Sequence, residues 1–291
     1  MSGTRDDWSD WSDWVGRREE ARDNLDLNRA RALQATLDDS GGDPDAMLEP
    51  GAALPPLWHW AYFWSLAPTA GLGPDGHAAR GEFLPPIDLP RRMWAGSRVA
   101  FSRPLALGAT VTRRSTIKSV TQKTGRSGPL AFVTVEHVLS DGAEPCIVEE
   151  HDIVYREAAA AGAVVPPGKP APANGSWVQT VSPSPVLLFR YSALTFNGHR
   201  IHYDQPYATG EEGYPGLIVH GPLLATLMVG LVRRELPAAR VTRFAFRALR
   251  PIFDLKSFTV CGAPDQESKH ADLWVTDPDG YLAMQGEAEW V

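Results

Sequence analysis

The sequence is short of cysteine, of net positive charge and of long apolar runs, and each shortage excludes a class of protein. Its two cysteines, Cys146 and Cys261, lie far apart, which fits neither a disulfide framework nor the spacing of a zinc site. With 28 Lys and Arg against 35 Asp and Glu, the formal net charge is −7, so no nucleic-acid partner is expected. No apolar run reaches the roughly 18 residues that a membrane span requires.

The N-terminal stretch 1–23 is acidic and rich in tryptophan, unlike the basic and then apolar pattern of a signal peptide. We therefore expect a soluble, cytoplasmic protein with reduced thiols. Of the 291 residues, 43% are hydrophobic and 22% are charged. This composition can supply the core of one large domain or of two medium ones.

The first part of the sequence predicts a helix, followed by an aromatic segment of the core. The pattern of residues 11–38 indicates a charged helix with one apolar stripe, ended by Ser40-Gly41-Gly42. We assign residues 1–45 to an N-terminal helical segment. The run 54–66, LPPLWHWAYFWSL, predicts core. An aromatic wall for an adenine or an acyl chain is compatible with that interpretation.

Residues 68–98 contain many Pro and Gly and predict loops. Within them, Arg91 and Arg92 precede Trp94, an aromatic residue that we expect to be exposed. Such a cationic pair fits a solvated face or, alternatively, an anion site for a nucleotide phosphate.

Strand signals then occur on both sides of an Ala/Pro/Gly-rich stretch at 157–175, which is typical of a linker. Weak but ordered echoes relate the flanking regions: Arg103-Pro104 corresponds to Arg250-Pro251, and Asp141-Gly142 to Asp279-Gly280. We interpret them as a duplication. It gives domains at 46–156 and 176–291, each a strand-rich sheet around one apolar helix. The predicted strands are 98–101, 109–120, 131–139, 147–155, 177–190, 240–249, 258–261, 271–275 and 281–291.

The stretch 190–230 has the densest polar chemistry of the chain. A loop containing His199, His202 and His220 leads into an apolar run that begins at Gly221-Pro222, a plausible helix start. Free N–H groups and the positive end of the helix dipole would face the loop. That arrangement suits an oxygen that acquires negative charge.

Three interpretations of this loop compete. A metal site would use His199, His202 and His220 with Asp204, although an irregular loop need not point them together. A purely structural role would have the histidines satisfy loop carbonyls. An acid–base site would combine Asn197, His202 and the N–H of Gly221.

The loop also resembles a known motif. YSALTFNGHRIHYDQPYA (191–208) is similar to the hydratase motif S-G-D-x-N-P-[LIV]-H-x-D of MaoC-like enoyl-CoA hydratases, with His202 at the motif histidine and Asn197 at the motif aspartate. His220-Gly221 matches the start of that family's central helix. In its residues the sequence most resembles the double-hotdog 3-hydroxyacyl-thioester dehydratases of type 2 and the mesaconyl-C4-CoA hydratases. The resemblance implies an α+β fold of two tandem hotdogs, each an antiparallel sheet wrapped around a central helix.

The replacement of aspartate by Asn197 changes the chemistry that the motif can perform. An amide cannot accept a proton and can only orient a water molecule, so His202 becomes the sole acid–base group of the motif. Gly221 would donate to the thioester oxygen. No metal and no cofactor are expected. The candidate substrate-binding residues are Tyr191, Arg190, Arg200, His220, Arg92 and Trp94.

These residues predict a hydro-lyase that acts on an α,β-unsaturated acyl-CoA, best matched by a C5 dicarboxylic thioester of the mesaconyl-C4-CoA or itaconyl-CoA kind. The alternatives are a 3-hydroxyacyl-ACP or -CoA dehydratase of fatty-acid type, a thioesterase, and a non-catalytic thioester-binding protein. The rear hotdog should carry the chemistry, and the front one should have lost its catalytic loop and become a support. A homodimer is plausible, because a double hotdog already forms one pseudo-dimer.

Overall fold

A computed structural model describes residues 11–39, 47–78, 81–125, 128–157 and 167–291. Ten strands in these ranges pair side by side, antiparallel throughout, into one sheet. The strands are β1 (Arg18–Asn24), β2 (Arg91–Phe101), β3 (Thr110–Gly125), β4 (Gly128–Ser140), β5 (Pro145–Arg156), β6 (Trp177–Val181), β7 (Val241–Ala248), β8 (Phe258–Asp265), β9 (His270–Thr276) and β10 (Leu282–Trp290). The α helices are α1 (Leu27–Leu37), α2 (Pro185–Thr195) and α3 (Gly221–Glu235).

The strand order shows the duplication directly. It runs β1-β3-β4-β5-β2-β7-β10-β9-β8-β6. Counted inward from its own outer edge of the sheet, each half therefore has the strand order first-third-fourth-fifth-second. The halves meet where β2 pairs with β7, from Gly96–Arg247 to Ala100–Arg243. The echoed dipeptides occupy equivalent connections, β2–β3 with β7–β8 and β4–β5 with β9–β10.

The helix of the rear half agrees with its prediction. α3 begins at Gly221 with Pro222 in its first turn, and all its residues from Leu223 to Val232 except Gly230 are buried. It packs against β8, β10, β6, β9 and β7. The front half differs, since α1 is its only α helix among the described residues and buries just Ala30, Leu33 and Gln34. Where α3 would recur, the run 54–66 forms the 3-10 turn Trp58–Ala61 within the predicted aromatic core.

Two predictions in the front half are wrong. Residues 18–24 form β1, not a helix, because they pair with β3 at the edge of the sheet; their alternating charges suit an edge strand. Only Leu27–Leu37 of the predicted helix is helical, and its predicted stop at 40–42 lies outside the described residues. Residues 91–98 belong to β2, not to a loop, since their backbone pairs with β5 and then β7.

The predicted strand 177–190 is correct only over Trp177–Val181. Its second part is α2, whose first turn is capped by the Ser184 side chain, which accepts from the Leu187 N–H at 3.2 Å. Pro185 stands at the start of this helix. A short apolar run fits strand and helix equally well in periodicity, so the cap decides the outcome.

The predicted linker is partly described. Residues 167–175 run along the rear sheet, where Pro170 forms a bridge with Tyr281; residues 158–166 lie outside the described ranges. The boundaries at 46, 157 and 175 stay predictions. In the described part of the chain, no helix has both the length and the apolar character to cross a bilayer.

Candidate active site

His202 is the buried imidazole around which the site is built. It ends the 3-10 turn Arg200–His202 and is 7% exposed. Its Nδ1 lies 2.7 Å from the Ile218 carbonyl oxygen. A carbonyl only accepts, so Nδ1 carries the proton and Nε2 presents a lone pair. That is the form of imidazole that can accept a proton from water.

His220 supports His202 from behind. The two rings stack with centroids 3.7 Å apart and planes 20° apart, and His220 Nε2 lies 2.8 Å from the Ser192 hydroxyl. His220 is fully buried, and Tyr191 packs edge-on against it at 5.0 Å. Both were predicted to touch substrate, and that role is untested. Their burial favours a different one, in which they fix the orientation of His202.

Burial sets the charge of these rings. It lowers the pKa of His202 from 6.5 to about 4, against the hydrogen bond to Ile218, which acts in the opposite direction. Burial also lowers the pKa of His220 well below its usual range, and the charges of His202 and His199 act in the same direction. Both rings are therefore neutral near pH 7, and His202 is available as a base.

Asn197 lies just past the end of α2. Its backbone N–H donates to the Ser192 carbonyl at 2.8 Å, and its Oδ1 accepts from the His199 N–H at 3.0 Å. The side-chain oxygen is thus engaged in holding the loop, and the Nδ2–H₂ group is the donor that this amide still offers.

Gly221 is the first residue of α3, directly after His220. Pro222 has no N–H, and the Leu224 N–H already donates to the His220 carbonyl at 3.1 Å. The Gly221 N–H belongs to the first turn, where backbone donors lack partners within the helix. Gly221 directly follows His220, whose ring stacks on that of His202 with the centroids 3.7 Å apart.

The four candidate arginines differ in ion pairing and in solvent exposure. Arg200 is paired with Asp204 at 2.8 Å and donates to the Pro74 carbonyl, and Arg91 forms an ion pair with Glu212. Arg190 is exposed on α2. Arg92 is half-buried and forms no ion pair within the described part of the chain.

Arg92 lies within electrostatic range of the loop, because its charge contributes to the lowered pKa of His199 and of His151. Trp94 is half-buried, not exposed as expected. Its ring lies 3.9 Å from the ring of His151, and its indole N–H lies 3.0 Å from the Ser97 hydroxyl. Of the six candidates for substrate binding, Arg92 is the half-buried cation that forms no ion pair within the described residues. These two properties suit it to bind an anion.

The sequence interpretation missed a second group, Asp75 and His77 of the front half. His77 Nδ1 lies 2.9 Å from Asp75 Oδ2, and the His77 ring lies 4.2 Å from His199. Asp75, His77 and His199 place potential metal-binding atoms within 4.8 Å of one another. The set predicted for a metal is not assembled in this way, since His202, His220 and Asp204 are engaged with Ile218, Ser192 and Arg200. No local sequence signal links residue 75 to residue 199.

Two sheet halves of the same strand order, together with a buried helix that begins at a polar loop, define a hotdog-type fold. The sequence matches the hydroxyacyl-thioester dehydratase type 2 family over residues 57–254, and the chain belongs to that family.

Curated relatives agree over most of the chain. It is 48% identical to a mesaconyl-C(4)-CoA hydratase of Chloroflexus aurantiacus, over 94% of this chain and 96% of the relative. It is 32% identical to a mitochondrial hydroxyacyl-thioester dehydratase type 2 of Schizosaccharomyces pombe, over 84% and 87% of the two chains.

Solved structures agree on the fold. HtdX of Mycobacterium tuberculosis is 16% identical with a TM-score of 0.66, covering 94% of this chain and 99% of that one. A second protein of that organism, described as a double hotdog fold, is 14% identical with a TM-score of 0.52 over 95% and 96% of the chains. The predicted α+β double hotdog is therefore confirmed.

Proposed function

We propose that the protein adds water to the double bond of an α,β-unsaturated acyl-CoA, and that its preferred substrate is a branched C5 dicarboxylic thioester of the mesaconyl-C4-CoA kind. The observation that carries this proposal is the 48% identity to a mesaconyl-C(4)-CoA hydratase over 94% of the chain. The imidazole of His202 also supports the proposal, because it is neutral and its Nδ1 is held by the Ile218 carbonyl, which leaves Nε2 to accept a proton.

In the proposed reaction, His202 Nε2 accepts a proton from a water molecule that the Asn197 Nδ2–H₂ group holds by its oxygen. The water oxygen bonds to the β-carbon, and the electron pair of the double bond moves toward the thioester carbonyl. The Gly221 N–H donates to the resulting enolate oxygen. One such donor contributes roughly 3 kcal/mol to transition-state stabilisation. The α-carbon then takes a proton, which restores the carbonyl.

The free carboxylate of the substrate gives Arg92 a role. In mesaconyl-C4-CoA, the β-carbon bears both a methyl group and a carboxylate, so a negative charge lies next to the point of attack. A guanidinium offers two parallel N–H donors for a carboxylate. Arg92 is free to do this, whereas Arg91 and Arg200 are paired with Glu212 and Asp204.

A fatty-acid-type 3-hydroxyacyl-thioester dehydratase is the second candidate. It is supported by the family match and by the 32% identity to the Schizosaccharomyces pombe dehydratase. Its substrate would have no distal carboxylate and would give Arg92 no partner. The two candidates therefore differ in what Arg92 contributes.

The test is a panel of mesaconyl-C4, itaconyl and crotonyl thioesters of CoA, followed through the absorbance of the conjugated thioester. We expect fastest turnover of mesaconyl-C4-CoA, and a loss of about two to four powers of ten in kcat for His202→Ala. Arg92→Gln should raise KM for mesaconyl-C4-CoA by about tenfold or more while leaving crotonyl-CoA nearly unaffected.

Near-normal hydration by His202→Ala would remove that residue from the chemistry. Preference for crotonyl-CoA, with no effect of Arg92→Gln, would favour the dehydratase. Binding of all three thioesters without turnover would favour a non-catalytic binding protein, and release of free thiol would reveal a thioesterase.

A further inference from the structure

A loop of the front half, residues 72–78, reaches the catalytic loop of the rear half. The Asp75 carbonyl accepts from the Arg200 N–H at 2.9 Å, and the Pro74 carbonyl accepts from the Arg200 guanidinium at 2.9 Å. Gly76 has φ +88°, and a Cβ there would overlap the Gly198 carbonyl. Two glycines therefore allow a backbone-to-backbone approach that no other residue would permit.

The tip of this loop presents a carboxylate–imidazole dyad. Asp75 accepts twice from His77, at 2.9 Å from the ring Nδ1 and at 3.1 Å from the backbone N–H. The hydrogen bond with the His77 side chain is the main reason why the pKa of Asp75 lies well below its usual range, so the carboxylate stays ionised. An ionised carboxylate fixes the ring and balances a positive charge on it. His77 Nε2 is left as the free nitrogen.

This dyad stands in line with the rings of the catalytic loop. His77 lies 4.2 Å from His199, which lies 5.5 Å from His202 at a right angle of 87°. The side chains of His77 and Asp75 remain 27% and 33% exposed, so substrate and solvent can reach them.

The proposed hydration involves two proton transfers, for which the motif itself supplies one acid–base group. His202 accepts a proton from water, and the α-carbon must receive one. Asn197 cannot donate a proton in the way a carboxylic acid can. Among the described residues around the loop, Asp204 is paired with Arg200 and Glu212 with Arg91, whereas Asp75 is hydrogen-bonded to an imidazole that lies beside His199.

We propose that His77, oriented by Asp75, is the second acid–base catalyst of this site and gives the proton to the α-carbon; this inference rests on the proposed function. Water loses one proton to His202 and its oxygen bonds to the β-carbon. The enolate electron pair then forms the bond between the α-carbon and the proton carried on His77 Nε2. Afterwards His202 releases its proton to solvent and His77 takes one up, so atoms and charge balance over a cycle.

The electrostatics of the two rings are complementary. Burial first, and the positive charge of His77 in addition, lower the pKa of His202. A proton on one ring thus opposes a proton on the other. Asp75 and His199 lie against His77, and His202 is within range of its charge.

The experiment compares His77→Gln, Asp75→Asn and His270→Gln in the full chain with mesaconyl-C4-CoA as the probe. His270 is the control, on β9 of the rear half, where its Nε2 lies 3.8 Å from a Glu287 carboxylate oxygen. We expect His77→Gln to lower kcat by about 10²- to 10³-fold with little change in KM, and Asp75→Asn by about 10- to 100-fold. His270→Gln should match wild type.

Each outcome bears on one proposal at a time. If wild type is active and His202→Ala is not, yet His77→Gln keeps at least half of kcat, the dyad proposal fails alone. If wild type hydrates none of the panel thioesters, the proposed function fails. If a chelator abolishes wild-type activity, zinc restores it and His77→Gln does not respond to zinc, the three residues hold a metal, and the proton-donor role is overturned.

Discussion

At the scale of single residues, surroundings decide what each histidine can do. His202 and His220 are buried, have no carboxylate partner within the described ranges, and have lowered pKa values. His77 is accessible and is held by an ionised carboxylate at 2.9 Å. Three residues of one type therefore divide into a base, a supporting ring and a proton donor, through solvent exposure and hydrogen-bond partners alone.

The first prediction concerns the pH dependence of catalysis. Since burial lowers the pKa of His202 to about 4, the base stays unprotonated down to that pH. We expect the acid limb of kcat/KM to fall near pH 4, not near the ordinary value of about 6.5 for histidine. Rapid pH-jump assays, with circular dichroism to establish that the protein is still folded, would measure it. An acid limb at 6 to 7 would mean that His202 is not the base, or that it is solvated.

A second prediction concerns Asn197→Asp. The carboxylate keeps an oxygen for the His199 N–H but loses the N–H donor for water, and it places a negative charge beside the substrate carboxylate. We expect kcat/KM for mesaconyl-C4-CoA to fall by about tenfold or more, because two carboxylates within one site repel each other. Crotonyl-CoA, which lacks that carboxylate, should suffer less. Equal effects on the two substrates, or a gain with mesaconyl-C4-CoA, would contradict this account and show that the amide was not required.

At the scale of elements, the site depends on a contact between two loops from different halves. The loop 72–78 is closed by a bridge between Leu72 and Ala78 and packs its tip on Gly198. Residues on these loops keep their positions through backbone hydrogen bonds to Arg200. Disturbing the contact should therefore impair catalysis before it impairs the fold.

The third prediction is that Gly76→Ala moves the loop away from the site. Its Cβ would collide with the Gly198 carbonyl, and φ of +88° is unfavourable for alanine. Gly108→Ala is the matched control, since Gly108 has φ +90° but nothing within 4 Å of a Cβ. We expect both to lose about 1 kcal/mol of stability, and Gly76→Ala alone to lose more than tenfold in kcat. Comparable kcat values for the two variants would show that the loop contact does not matter.

At the scale of the whole molecule, one continuous sheet joins two halves of the same strand order, and the halves have diverged in what they bury. The rear half buries a 15-residue helix. The front half buries a polar network around Glu149, which accepts from the Trp60 indole at 3.0 Å and the Ser97 hydroxyl at 2.8 Å and contacts His59 Nε2 at 3.0 Å. Burial would raise the pKa of Glu149, but the hydrogen bond and charge of His59 bring it below its usual range.

The fourth prediction is that the fold is sensitive to acid. Burial lowers the pKa of His151 to about 4 and of His137 to about 3, in addition to that of His202. Between these values and 6.5 the unfolded chain binds more protons than the folded one, so the free energy of unfolding rises with pH and falls on acidification. Each such histidine contributes about 1.4 kcal/mol per pH unit in that window.

Denaturant titrations at pH 7, 6 and 5 would measure the slope. His151→Phe keeps an aromatic ring against Trp94 and removes one titrating group, so its slope should be smaller by about 1.4 kcal/mol per pH unit at pH 5. A slope unchanged in His151→Phe would mean that His151 is charged or solvated in the folded protein.

The sequence by itself determined the features whose signals are local. The β3, β4, β5 and β7–β10 strands, the repeat and α3 all follow from short-range pattern and spacing, because neighbouring residues fix one another's geometry. Only the tertiary structure decided that 18–24 pairs as an edge strand, that Arg92 is free while Arg91 and Arg200 are paired, and that Asp75 and His77 stand beside His199. Those facts depend on contacts between segments far apart in the chain. Such contacts produce no periodic pattern in either segment from which they could be predicted.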